Sequence, residues 1–313
     1  MADIPTRQAF GEALCEIGES NSRLIVLDAD LASATRTGLF RDKFPERHIN
    51  AGIAEMNMVG MAAGLAASGK IAVASTFAVF GAGRAYEAIR NMVCYPKLNV
   101  KIACTHAGLG VGEDGATHQM LEDIALMNAL PNMRVLVPAD AAEARQMAYE
   151  AINSEGPFYI RLARQPSETI YDDTYRLEPS GGIDVIKDGD DAAIVACGTM
   201  VAKSLEAAGI LARDGISCAV LNFSQIKPFD SFNLIAYAKK AKAIVTAEEH
   251  SLKGGLHSIV ASELAELHPT YVLGVGVDDK FGSSGPPDEL FESYAITSAD
   301  IAEKVRLALR KLI

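Results

Sequence analysis

The chain has 313 residues, of which 49% are apolar and 22% charged, with a net charge of -11 and no tryptophan. That length suits two domains of about 150 residues each, and the composition excludes a disordered or collagen-like chain. The acidic balance argues against nucleic acid as a partner, because lysines and arginines are scattered rather than gathered into a stripe. Five cysteines (15, 94, 104, 197 and 218) stand far apart without a CxxC pair, and the start carries no secretory pattern. The expected home is therefore the reducing cytoplasm. The longest charge-light run, residues 56–69, is too short to span a bilayer, so no membrane partner is expected.

Apolar residues at Phe10, Ala13, Leu14 and Ile17 predict a helix from Thr6, with Arg7 in its first turn. RLIVLDAD, Arg23 to Asp30, reads as a buried strand ending in two acids. At the carboxyl end of a parallel strand, Asp28 and Asp30 either face a ligand crevice or cap the next helix. In the stretch His48 to Thr76, Glu55 stands before a run of Met, Gly, Ala and Leu that holds no charge until Lys70. Helix formers fill the run, and Gly60 and Gly64 stand one turn apart, so this helix can press its backbone against a neighbour. An acid there is poorly solvated, which suits proton sharing near neutrality; the plainer reading is a first-turn acid facing the helix dipole or a buried arginine. Lys70 to Phe77 predicts a strand. Phe77 and Phe80 follow it beside Gly81 and Gly83, and two such rings either clamp a flat heteroaromatic group or serve as ordinary core.

A helix is expected over Arg84 to Cys94 and a strand over Asn99 to Cys104. The polar segment THAGLGVGEDGATHQ, Thr105 to Gln119, then packs two His, two acids and four Gly into fifteen residues. Such a loop after a strand is a site signal. Its glycines miss the GxGxxG fingerprint. His106, Glu113, Asp114 and His118 lack the helical i, i+4 pairs of a metal site, so contacts to a hydroxylated or phosphorylated substrate explain the composition better. A helix from Met120, a strand Arg134 to Pro138, a helix Ala141 to Asn153 and a strand Phe158 to Leu162 complete an alternating β/α domain over residues 1–166. Arg161 and Arg164, at the end of the last strand, either hold a phosphate or pair with a surface acid.

Residues 167–190 lose the apolar pattern and read as a linker. A second alternation over 191–313 runs from the strand Ala192 to Cys197 to a last helix from Ala299 to Leu312. Gly189, Asp190 and Asp191, with Asn222 about thirty residues on, imitate a diphosphate-metal motif but lack its second Gly. Glu248, Glu249 and His250 precede a Gly-Gly turn, and nothing in their spacing decides their role.

GIAEMNM around Glu55, STFAVF around Phe77, THAGLGVGEDGATHQ, LPNMRVLVPAD, RLARQP and EEHSLKGGL together resemble the carboxyl-terminal half of transketolase over the whole chain. The resemblance implies two α/β domains, a pyrimidine-binding domain and then a smaller transketolase C-terminal domain with a mixed sheet. It also implies thiamine diphosphate, with Glu55 hydrogen-bonding the aminopyrimidine nitrogen, Phe77 and Phe80 packing on that ring and Asp30 near the cofactor. His106 and His118 would contact substrate hydroxyls or phosphate and assist proton transfer. Asp114 would read hydroxyl configuration, and Arg7 and Arg164 would hold the phosphate of a sugar phosphate.

A third aromatic of the family's pocket should fall near Gly83; Tyr86, one turn on, is the residue to take its place. The resemblance begins at the second domain of a full transketolase, so the family's diphosphate-binding domain is expected on a separate chain. The expectation is one subunit of a split transketolase in an α2β2 assembly, with no metal ligands of its own. Mg2+ or Ca2+ would be held by a separate N-terminal subunit. The rivals are the β-subunit of a 2-oxoacid dehydrogenase E1, which shares the catalytic Glu, a fragment of a 1-deoxyxylulose-5-phosphate synthase, and a non-catalytic interaction subunit of the same fold.

Overall fold

The computed structural model describes residues 3–172, 174–178 and 181–311. Its amino-terminal half runs α1 (Thr6–Ser20), β1 (Leu24–Asp28), α2 (Ala32–Thr35), α3 (Gly38–Lys43), β2 (His48–Asn50), α4 (Glu55–Ala67), β3 (Ile71–Phe77), α5 (Tyr86–Ala88), β4 (Val100–Thr105), α6 (Asp123–Asn128), β5 (Arg134–Leu136), α7 (Ala141–Asn153) and β6 (Phe158–Arg161). The second half adds β7 (Asp184–Lys187), β8 (Ala192–Ala196), α8 (Met200–Arg213), β9 (Cys218–Asn222), β10 (Gln225–Lys227), α9 (Ser231–Lys240), β11 (Ala243–Ser251), α10 (Leu256–Leu267), β12 (Val272–Val277), α11 (Pro287–Ser293) and α12 (Ser298–Arg310). The expected end of the last helix at Leu312 lies outside the described residues, as do positions 173, 179 and 180 of the stretch read as a linker.

Two α/β domains result. The first sheet has the order β10-β5-β6-β4-β3-β1-β2, parallel except for β10, and the second has the order β12-β11-β8-β9-β7, parallel except for β7. Continuous burial of β1, β3, β4 and β6 follows from helices covering both faces of a parallel sheet. On one face Phe10 and Leu14 of α1 and Met147 of α7 pack on Val73 and Phe158. On the other, a single apolar core runs from Ile25 and Ile102 through Val137 to Leu221 and Ile244, joining the two sheets.

Four departures from the sequence reading have local causes. Residues 184–187, inside the stretch read as a linker, form an edge strand on β9. β10 leaves the second domain to extend the first sheet antiparallel to β5, and Lys227 Nζ donates to the carbonyls of Asn128 and Leu130 behind α6. The expected helix from Met120 begins only at Asp123, because the Met120 carbonyl accepts the Gly108 N–H at 2.8 Å. In place of one helix over 84–94, two π-helical turns, Val79–Arg84 and Ile89–Cys94, flank α5.

Gly81 lets the first π-helical turn lie against β4, since a Cβ there would stand 2.4 Å from Cys104 Sγ. Gly81→Ala should therefore cost about 1–3 kcal/mol of stability through overpacking. Denaturant unfolding of Gly81→Ala and of Gly81→Ala/Cys104→Ala checks this, with the second change recovering part of the loss.

Candidate active site

Four strand ends build the site. β1 and β3 are neighbours in the sheet, and β3 runs in register with β4, so Phe77 lies beside Thr105 and the polar loop starts next to the phenylalanine pair. Glu55 opens α4 and is buried, and its Oε2 accepts a hydrogen bond from Arg84 Nη1 at 2.8 Å. Arg84 itself is 52% exposed and lies over the Phe80 ring at 4.8 Å. The acid is thus desolvated but paired, by a cation that borders water.

The Phe77 and Phe80 rings are near-parallel, 13° apart with centroids at 5.9 Å. His106 stacks on Phe77 at 3.8 Å, and His118 meets the edges of Phe77 and Phe80 at 6.3 and 5.6 Å. Tyr86 is half-buried and joins no ring pair among the described residues, so the third side of this aromatic group is His118. The loop thus brings an imidazole to the two rings.

His106 is almost fully buried and held at φ +57°, a conformation that costs a non-glycine residue about 1–3 kcal/mol and is most often met at functional sites. Arg7 Nη1 donates to its Nε2 at 3.3 Å, which leaves the ring proton on Nδ1, 2.8 Å from Thr105 Oγ1. Burial, together with the charges of Arg7 and Arg164 and the nearby His118, holds its pKa down at about 3, so the imidazole is neutral. His118 is half-buried, with Nδ1 3.0 Å from Thr117 Oγ1.

The polar loop is moulded on the second domain. Gly108 adopts φ +82°, and a Cβ there would fall 2.3 Å from Glu249 Oε1. Glu249, buried at the end of β11, accepts the Gly110 N–H and the Thr199 hydroxyl, and burial raises its pKa. Gln119 Nε2 donates to the Leu109 and Ser283 carbonyls, and Ser284 Oγ to that of Glu113. Arg164 Nη1 donates to the Val111 carbonyl and reaches Glu113 at 3.3 Å. Beside Arg164 a cleft of about 310 Å³ opens between the domains, lined also by Thr199, Lys203, Glu249 and Phe291.

The other expected residues divide. Asp30 sits at φ +62° beyond β1, and its carboxylate accepts from Asn50 Nδ2 at 3.0 Å. Asp114 is exposed at the end of the loop's 3-10 turn. Asp28 is turned inward, 2.7 Å from His48 Nε2, and its Oδ1 accepts the Leu31 N–H. Arg161 is no phosphate ligand: its Nε donates to buried Asp123 at 2.8 Å and its Nη2 to the Glu249 carbonyl at 2.9 Å. Among the described residues no group of three His, Cys, Asp or Glu side chains is arranged for a metal ion. No described helix is long and apolar enough to cross a membrane. Sequence reasoning missed Arg84 and left the role of Glu249 undecided, for both act across long separations, 29 residues to Glu55 and 139 to Gly110.

A buried helix-opening acid, an aromatic pair and a neutral histidine stand together near the ends of parallel strands. Residues 2–168 match the family model of the transketolase pyrimidine binding domain, and residues 181–301 that of the transketolase C-terminal domain. The chain is 45% identical to a protein described as a transketolase C-terminal section from Methanocaldococcus jannaschii, covering 97% of this chain and 96% of that one. It is 38% identical to a 6-deoxy-6-sulfo-D-fructose transketolase subunit of a Clostridium species, over 94% and 91% of the two chains. A 1-deoxy-D-xylulose-5-phosphate synthase of Desulfitobacterium hafniense is 34% identical over 97% of this chain but only 48% of its own length. Among solved structures, a split gene transketolase, described as an inactive beta4 tetramer, superposes with a TM-score of 0.90 at 50% identity, with 99% of both chains covered. The chain belongs to the transketolase family and carries its pyrimidine-binding and C-terminal domains. Transketolases depend on thiamine diphosphate.

The depressed pKa of His106 has a stability consequence. Below the unfolded value of about 6.5 the unfolded chain binds a proton that the folded chain refuses until about pH 3. Stability contributed by His106 is thus present above pH 6.5 and lost as pH falls through that window. His106→Gln should reduce the slope of unfolding free energy against pH by up to one proton, about 1.4 kcal/mol per pH unit, between pH 6 and 4. Denaturant titrations at several pH values check it.

Proposed function

We propose that the chain is one subunit of a two-chain transketolase that moves a two-carbon ketol unit from a ketose phosphate to an aldose. In this reading it acts only with a separate chain holding the cofactor's diphosphate and its Mg2+ or Ca2+, as an α2β2 assembly. The carrying observation is Glu55, buried at the start of α4 with its carboxylate turned to the Phe80 side, where Arg84 meets it.

The donor set fits the pyrimidine end of thiamine diphosphate: a carboxylate acceptor and two aromatic faces. When bound, that cofactor supplies the electron sink for the carbanion left by ketose cleavage. Glu55 would share a proton at the ring nitrogen in the place Arg84 now takes, and Arg84, bordering water, is free to turn outward. Phe77 and Phe80 would orient the ring and exclude water. His118 has the more accessible imidazole and would exchange protons with substrate hydroxyls, with Asp114 on the same loop reading their configuration. His106, neutral and tied to Arg7 and Thr105, offers its position as a fixed polar wall. Asp30 would border the cofactor, held by Asn50.

Incompleteness is supported by surface chemistry. Ile53 and Met56, next to Glu55 in the chain, are exposed, as is Met92 against Gly60 of α4, and Gly64 of α4 faces open space. An apolar face beside the site calls for a covering chain. The similar split gene protein is described as inactive as a beta4 tetramer, which agrees with a subunit that awaits a partner.

The 1-deoxyxylulose-5-phosphate synthase relative favours one second reading, condensation of a keto acid with an aldose phosphate. Co-purification with the neighbouring reading frame, then assays of xylulose 5-phosphate plus ribose 5-phosphate and of pyruvate plus glyceraldehyde 3-phosphate, distinguishes the two. Ketol transfer is expected only from the complex with thiamine diphosphate and Mg2+, and full turnover by the isolated chain would sink the two-chain reading. Glu55→Ala should assemble normally and lower kcat by about 10²–10⁴-fold.

A further inference from the structure

We infer that Arg36 is the third arm of an anion clamp, with Arg7 and Arg164, that holds the dianionic phosphate of the sugar substrate. The inference rests on the ketol-transfer reading above for its substrate, but its geometry stands apart from it.

Three contacts bring the guanidinium-bearing residues together. Thr6 Oγ1 accepts the Ala163 N–H at 2.7 Å, so the next residue of each segment, Arg7 and Arg164, leaves from the same point. Arg7 Nη1 donates to the Ala34 carbonyl at 2.6 Å and so draws in the turn after α2. That turn ends in Arg36, at φ +67°, whose carbonyl oxygen and Cβ would stand 2.7 and 3.0 Å from a Cβ at Gly11. Gly11 lies one turn after Arg7 on α1, so Arg36 stands over the helix beside Arg7.

Charge bookkeeping leaves these cations in excess. Among the described residues Arg7 bonds a carbonyl and a neutral imidazole, and its Nε is buried without an acceptor. Arg164 has Glu113, which is exposed, and Arg36 is exposed with no hydrogen-bond or ion-pair partner among the described residues. Burial and the charges of Arg36 and Arg164 bring the Arg7 pKa down to about 10, the direction expected when like charges share a small space. In a chain with a net charge of -11, a group of three cations answered by one exposed acid is an unsatisfied site. A phosphate monoester brings nearly two negative charges at neutral pH and three oxygens, enough acceptors for all three arms. A sulfonate has the same shape with a single charge, so the cluster favours the phosphate.

The test uses the assembled two-chain enzyme with Arg36→Ala and Arg36→Lys. Loss of one charge-assisted arm should raise KM for xylulose 5-phosphate about tenfold or more with kcat little changed, leave KM for unphosphorylated xylulose unaltered, and be partly rescued by lysine. The wild-type enzyme should prefer the phosphorylated over the sulfonated ketose, and Arg36→Ala should narrow that preference. Equal KM changes for xylulose and its phosphate, or none for either, would overturn the clamp, as would a sulfonate preference. Should the complex transfer no ketol unit, the functional reading fails but the clamp is still tested. Titration of the chain with inorganic phosphate, followed by NMR, should then show weaker binding in Arg36→Ala, and unchanged affinity would refute it.

Discussion

The candidate site depends on one joint between the domains. Glu249, from the end of β11, pushes a buried carboxylate into the polar loop, where the Gly110 N–H and the Thr199 hydroxyl satisfy it. Beneath it the Asp123 carboxylate takes hydrogen bonds from Arg161 and Tyr159, and Arg161 turns on to the Glu249 carbonyl. His250, with Nδ1 on the Ser251 carbonyl, and Glu248, which accepts the Leu256 and His257 N–H groups at the start of α10, close the network. Breaking such a buried pair from one side costs about 3–5 kcal/mol, so these groups fix one arrangement of the domains. A loop of four glycines has little conformational preference of its own. Its shape, and hence the position of His106 and His118, comes from this contact.

Electrostatics then separate the site into two ends. At one, Glu55 is a buried acid with a single, half-exposed cation beside the aromatic pair. At the other, burial and the charges of Arg7 and Arg164 keep a histidine neutral, with Arg36 beside Arg7. In the proposed reading the acid would serve a thiamine ring and the cationic end the anionic tail of a ketose phosphate. The family membership of both domains supplies the chemistry those ends would serve.

Much of this was legible in the residues. The alternation of apolar runs pointed to α/β domains, and α7 falls on the expected residues because a cap bounds its start. Asp140 caps α7 by accepting the Glu143 N–H. Glu55, Phe77, Phe80, His106 and His118 stood out as chemistry-bearing types at strand ends, and the fold gathers the rings and imidazoles. β7 and β10 escaped notice because both are short edge strands, and pairing with a distant strand is what makes them strands. The residues left the partner of Arg161 open because its acid, Asp123, lies 38 residues away and is buried.

The sequence by itself determined the class of fold and the types of group available, since burial patterns and turn residues act over a few positions along the chain. Only the tertiary structure decided which of those groups meet. It turned Asp28 and Arg161 inward to structural partners, set Arg84 on Glu55 and brought His118 to the phenylalanine pair. It also laid Arg36 over α1 beside Arg7. The physical reason is common to all of them: charges and rings choose partners by distance in space, and that distance is set by sheet register and by the carboxylates buried between the domains.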